Sequence, residues 1–157
     1  MQLPTTLSVL TMLVLSTVAA PQNAGTGNLP SNRCNARAVT GNQVVQGTAP
    51  IWNDCYHLAD QFHKGVFFSK SIKVASKYEQ RYQTCGFSIT GKAGNFMLGT
   101  NDAADLIRST ANDLGPKSGA YQTGFVPCDT PGTAGGDYGR KTGWTIGNLD
   151  APGPKNG

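Results

Sequence analysis

The chain has 157 residues, a net charge of +4, 38% hydrophobic and 14% charged residues. That length accommodates one domain, and the modest apolar content excludes a large self-sufficient core and points to covalent support. With Glu79 as its one glutamate and no long basic block, the sequence also excludes a strongly charged polyelectrolyte-binding tail.

Residues 1–19 read as a signal peptide: the segment is uncharged, its apolar run from Leu7 to Ala20 ends in small residues, and it is short for a membrane span. Cleavage after Ala19 is expected, because Pro21 makes a poor context after Ala20. No later stretch is apolar enough to cross a bilayer, so a secreted, extracellular protein with no membrane span is expected. Residues 20–33 are rich in Gly, Asn and Pro and form a flexible leader, with order beginning near Cys34.

Asp54 is placed to cap a helix whose apolar positions Cys55, Leu58, Ala59 and Phe62 share one face, and Gly65 to end it. Val66 to Ser71 reads as a strand of ambiguous facing. Cys85, Phe87 and Ile89 alternate with polar neighbours as a half-buried strand, and Asn95 to Leu98 is predicted to run antiparallel to it beyond a Gly-rich turn. A second helix follows, capped by Thr100 or Asn101, with Asp102 and Asp105 where the helix dipole favours negative charge. Its stripe is Ala103, Leu106, Ile107, Ala111 and Leu114, and Gly115 and Pro116 stop it. Strands are expected over Ala120 to Cys128 and Gly143 to Ile146, and 149–157 is a flexible tail. The fold class is therefore α+β, with two helices packed on one face of a small, mainly antiparallel sheet, stapled by two disulfides.

Four cysteines allow three pairings. Cys55–Cys85 nested within Cys34–Cys128 is favoured, with chain-entropy contributions of about 3.5 and about 4.5 kcal/mol, and the other pairings stay open. A zinc site is disfavoured, since close CxxC pairs are absent, and no metal or cofactor is expected. The densest basic segment is His63, Lys64, Lys70, Lys73, Lys77 and Arg81, opposed by Glu79 alone. Lys64, Lys70, Lys73, Lys77 and Arg81 form the candidate partner-binding surface, against the plainer reading of a solvated face. Without interleaved aromatics at fixed spacing, no nucleic acid is expected as partner.

No catalytic arrangement fits, and no catalytic residue is assigned. His57 and His63 lack the i, i+4 spacing of a zinc-binding helix, and Gly86–Phe87–Ser88 is followed by Thr90 where a nucleophile elbow needs glycine. Asp102 and Asp105 serve a helix start better than an acid/base pair. Glu79, Arg81 and His57 or His63 supply the residue types of a small secreted ribonuclease, which stands as an alternative.

Cys34; Asp54, Cys55 and Leu58; Tyr82, Thr84, Cys85, Gly86 and Phe87; Gly99, Asp102, Asp105, Leu106, Ile107 and Arg108; and Gly124, Cys128, Trp144 and Ile146 occur in an order and spacing that resembles a known family. It is the fungal extracellular cysteine-rich effectors that share the putative necrosis-inducing factor domain, here placed at 34–148. The resemblance implies a secreted effector linked with plant cell death or virulence, with no agreed catalytic residues to carry over, and a non-enzymatic interaction protein is expected. The partner expected is a host or competitor-microbe target, a protein or cell-surface component, and the chain is expected to be a monomer. Members also occur joined to chitin-degrading modules, and the derived fold is similar to small fungal killer toxins, so antagonism of competing microbes is the alternative role.

Overall fold

The alternation through Cys85, Phe87 and Ile89 builds an inner strand of the sheet. In this computed structural model, which describes residues 32–151 apart from 92–93, 116–118, 133–135 and 137, those three side chains are buried on β4 (Cys85–Gly91). The expected signal peptide, the leader to residue 31, Pro116 and the tail from 152 lie outside the described residues.

In chain order the elements are β1 (Thr40–Gln46), α1 (Trp52–His63), β2 (Ser71–Val74), β3 (Lys77–Tyr82), β4, β5 (Phe96–Gly99), α2 (Thr100–Leu114), β6 (Gly119–Cys128) and β7 (Arg140–Gly147), with a 3-10 turn at Ala36–Ala38 before β1. Five strands form one antiparallel sheet in the order β1-β6-β7-β4-β3, and β2 pairs with β5 in a second, two-stranded sheet. In register, Phe87 of β4 lies beside Ile146 of β7 and Gln80 of β3, while Ile89 lies beside Trp144 and Tyr78. Period-two alternation thus gathers Phe87, Ile89, Val126, Trp144 and Ile146 on one buried face. Both helices cover that face and pack on each other, as the α+β reading anticipates. Phe62 of α1 is the hub, fully buried with ring centroids 4.7 Å from Phe67, 5.9 Å from Phe68 and 5.5 Å from Phe87.

Several local expectations are corrected. The strand expected over Val66 to Ser71 begins only at Ser71, as β2: Gly65 turns the chain at φ +71°, and the successive Phe67 and Phe68 both face Phe62, which a period of two forbids. β5 pairs with β2 instead of β4, because β3 and β7 already occupy both sides of β4. α1 starts earlier than expected, with Ile51 at the cap, and Asp54 inside the first turn accepts from Thr84 N at 3.2 Å and Thr84 Oγ1 at 2.6 Å. Gly99, not Thr100 or Asn101, is the cap of α2, its N–H donating to Asp102 Oδ2 at 3.0 Å.

The disulfides are Cys34–Cys128 and Cys55–Cys85, the nested pairing, with no free cysteine. The outer bridge fastens the start of the described chain to the end of β6, and the inner one fastens α1 to β4. Gly124 of β6 leaves room for the Trp144 ring: an added Cβ would stand 2.7 Å from Trp144 Cζ2 and 2.6 Å from Asn42 Oδ1.

Replacing Cys34 and Cys128 together by Ser is expected to lower stability by about 4.5 kcal/mol, and replacing Cys55 and Cys85 by about 3.5 kcal/mol. Urea unfolding of the two variants checks the order, and a more stable outer-bridge variant would contradict it. Gly124→Ala is expected to displace Trp144 at a cost of about 1–3 kcal/mol; an unchanged near-ultraviolet circular dichroism signal and melting temperature would show that the close approach is not felt.

Candidate functional site

The five candidate basic residues fall into two groups on different parts of the surface. Lys64 follows the last turn of α1, Lys70 precedes β2 and Lys73 points outward from it, all three exposed. They surround the loop Gly65 to Ser69, whose backbone closes on itself: Gly65 N donates to Phe62 O at 2.9 Å, Val66 N to Gln61 O at 3.0 Å, and Gly65 lies against Phe68 and Ser69. At the tip, Val66 is 62% exposed.

Lys77 and Arg81 stand on β3, facing away from the helices, with Glu79 between them. Lys77 Nζ lies 2.5 Å from Glu79 Oε2, Arg81 Nε 2.9 Å from Glu79 Oε1, and Arg81 Nη1 2.8 Å from Asp150 Oδ1. Hydrogen bonds from Lys77 and Arg81 hold the Glu79 carboxyl below its ordinary range, and those from Arg81 to Asp150 and Glu79 raise the guanidinium. Here the cations meet carboxylates of their own chain. Such exposed pairs contribute little stability and leave little net charge for a partner. They border a shallow concavity of about 320 Å³ with Ser88, Tyr121, Thr145 and Leu149.

The ribonuclease residue types are only partly brought together. Glu79 and Arg81 are in contact, but His57 touches Tyr82, at 5.6 Å between ring centroids, and Tyr82 alternates to the opposite face of β3. His57 Nε2 lies 3.1 Å from Asn53 Nδ2, and His63 is exposed in the last turn of α1.

Asp102 and Asp105 separate by environment. Asp102 is buried, and its Oδ2 accepts from Arg33 N at 2.6 Å, Cys34 N at 2.9 Å and Gly99 N at 3.0 Å, joining the helix start to the segment ahead of it. Burial raises its carboxyl from 3.8 to about 6, against the lowering effect of those three N–H groups and with a small upward push from Asp105. Asp105 is exposed. Both line a concavity of about 410 Å³ with Asn32, Asn35, Arg37 and Tyr138.

Three features escape the sequence reading. Asp129 is fully buried and pairs with Arg33 at 3.3 Å between Oδ2 and Nε; adjacency to Cys128 and Cys34 was the available signal. Asp60 pairs with Arg108 at 2.5 Å, its carboxyl lowered by that hydrogen bond, joining α1 to α2. Trp144 is 2% exposed, with its indole N–H buried and without a hydrogen-bond partner among the described residues. Among the described residues no cluster of His, Cys, Asp and Glu could hold a metal ion, and no helix is long and apolar enough to cross a membrane.

The Hce2 family model, described as pathogen effector and putative necrosis-inducing factor, matches residues 33–128. The span begins at Arg33, the partner of Asp129, and ends at Cys128, the partner of Cys34. β7 lies beyond it yet separates β6 from β4 in the sheet, so the folded unit runs past the matched span. Among curated proteins, none matches the chain.

Because Asp102 titrates at about 6 in the folded protein against an ordinary 3.8, the native state holds that proton more tightly than the unfolded chain. The associated stability is fully present below pH 3.8 and is lost as pH rises through about 6. Asp102→Asn keeps an acceptor oxygen and removes the titration. Relative to this variant, the wild type is expected to gain about 3 kcal/mol on going from pH 7 to below pH 4. Parallel stability curves in chemical denaturation across that interval would contradict the assignment.

Proposed function

The chain belongs to the Hce2 family of pathogen effectors, and on that footing we propose that it is an exported, non-enzymatic interaction protein that acts on a host target and elicits plant cell death or aids virulence. The observation that carries this reading is the use made of the buried carboxylates. Asp54 is spent on Thr84, Asp102 on three backbone N–H groups and Asp129 on Arg33, each securing one chain segment to another. Glu79 is engaged by Lys77 and Arg81, and the histidine nearest β3 sits on the other face of that strand. Asp54, Asp102 and Asp129 thus serve architecture.

Two disulfides and their adjoining polar contacts suit a small scaffold that keeps its shape in an oxidising exterior. Export fits the apolar segment at residues 1–19 and the family together. The surface offered to the target is the loop bearing Lys64, Lys70 and Lys73, where the cations are exposed; Lys77 and Arg81 form a self-compensated neighbour.

Infiltration of purified oxidised protein into leaves is expected to cause a local response in a responsive host genotype, and the reduced and alkylated protein none. A response of equal strength from both forms, or none across a broad set of host genotypes, would contradict this function. Cleavage of RNA by the wild type that is lost in Glu79→Gln would replace it with the ribonuclease reading.

A further inference from the structure

The two borders of the five-stranded sheet differ in how they meet solvent. β3 carries Lys77, Glu79 and Arg81, charges of the kind that deter a further strand. β1, at the other border, lies in a run over residues 38–53 that has no charged side chain. Of its two hydrogen-bonding edges, one is taken by β6, and the other has no strand beside it among the described residues. Residues 40–44 and Gln46 are exposed, and register shifts on either side leave 43–45 as the regular centre of the edge. The strand has neither the charges nor the proline that commonly protect an open edge.

α2 runs alongside this edge. Near the helix start, Asp105 borders a hollow of about 100 Å³ with Ala36 and Val39, just ahead of β1. At the helix end, Leu114 and Val44 meet over Gly119, where an added Cβ would lie 3.7 Å from Leu114 Cδ2 and 2.6 Å from Val44 Cγ1. Asp105, Ser109 and Asp113, four residues apart and exposed, form the helix wall of the hollow, with Asn42 on the strand side. The two carboxylates form no ion pair among the described residues, not even with Arg37, which borders the adjoining concavity beside Asp105. The Trp144 indole, over Gly124 and close to Asn42, lines the floor, and its buried N–H has no hydrogen-bond partner among the described residues.

A long side chain with its aliphatic stem against Val39 and Leu106 and a cationic end at a carboxylate suits this lining. Spacing sets the backbone that carries it. Asp105 and Asp113 are eight helical residues apart, about 12 Å along the axis, and residues p and p+4 of an extended strand project to one side about 13 Å apart. We infer that the open edge of β1 and the facing stripe of α2 form a docking groove for an extended basic segment of another protein, which adds as a strand beside β1 and turns its lysine or arginine side chains toward Asp105 and Asp113. The backbone supplies the ladder, and the alternate side chains supply the selectivity. The side chain at p+2 falls opposite Ser109, where an amide oxygen is placed to accept from the Trp144 N–H. A polyamine answers to the carboxylates but brings neither a backbone for β1 nor an oxygen for Trp144. This inference goes beyond the proposed function and does not depend on the loop after α1.

The probe is a capped peptide, TKVQVKT, titrated into the oxidised Trp52→Phe protein so that indole fluorescence reports Trp144 alone, with circular dichroism to verify folding. Saturable binding below about 1 mM is expected, and about tenfold weaker binding or less for the peptide TEVQVET. Asp105→Asn combined with Asp113→Asn is expected to weaken the lysine peptide about tenfold. Strand addition uses the peptide N–H groups of one edge only. Of two lysine peptides N-methylated at alternate residues in the two possible phases, one is therefore expected to lose binding and the other to keep it. No saturable binding, equal binding of the lysine and glutamate peptides, an unchanged affinity in the double variant, or retained binding by both N-methylated peptides would overturn the inference. Spermidine binding as tightly as the lysine peptide would overturn it as well, because a cation alone would then suffice.

Discussion

Beside each disulfide, one residue along on both strands of the junction, a carboxylate makes a second fastening. Asp54 grips Thr84 next to Cys55–Cys85, and Asp129 pairs with Arg33 next to Cys34–Cys128. The covalent bond limits the freedom of the unfolded chain. The polar contact fixes how the joined segments lie, because a buried carboxylate without its partner is strongly disfavoured. Asp102 extends the outer junction by taking the N–H groups of Arg33 and Cys34 together with that of Gly99. The start of the described chain, the start of α2 and the end of β6 thereby meet at one point.

What remains for recognition is the surface these junctions leave alone. The helix-facing side of the sheet is filled by Phe62, Phe87, Trp144 and their neighbours, and the other side carries Ser88, Thr123 and Thr145 with the balanced charges of β3. The loop after α1 combines exposed lysines with an exposed valine. Asp54, Asp102 and Asp129 are buried at these junctions, and the chain's net charge of +4 favours anionic encounter surfaces. The proposed contact face thus follows from the architecture that stabilises the fold.

Much of the architecture is legible in the sequence where one physical signal dominates. The alternation around Phe87 and the stripe from Ala103 to Leu114 each have one buried face, and both elements form where expected. β1 and β3 are hidden for opposite reasons. Thr40–Gln46 is exposed along its length and carries no alternation, while in β3 polar residues occupy both faces, Lys77, Glu79 and Arg81 on one and Gln80 among the tyrosines on the other. The partner of β5 is a long-range choice, decided by β7 arriving from the far end of the chain to fill the side of β4. The same limit applies to the site. Lysine spacing marks the basic segment, but Arg81 is quenched in part by Asp150, a residue distant in sequence, and only folding shows Val66 projecting while Phe67 and Phe68 turn inward.

The central claim is that an exported scaffold is locked by two nested bridges, each seated beside its own carboxylate contact. Mass mapping of peptides from native protein recovered from culture medium, digested without reduction, tests it most directly. The account predicts linked peptides joining Cys34 to Cys128 and Cys55 to Cys85, with no alkylatable thiol and an N-terminus beyond the apolar segment. A free thiol, a different pairing, or protein found only inside the producing cells would contradict it.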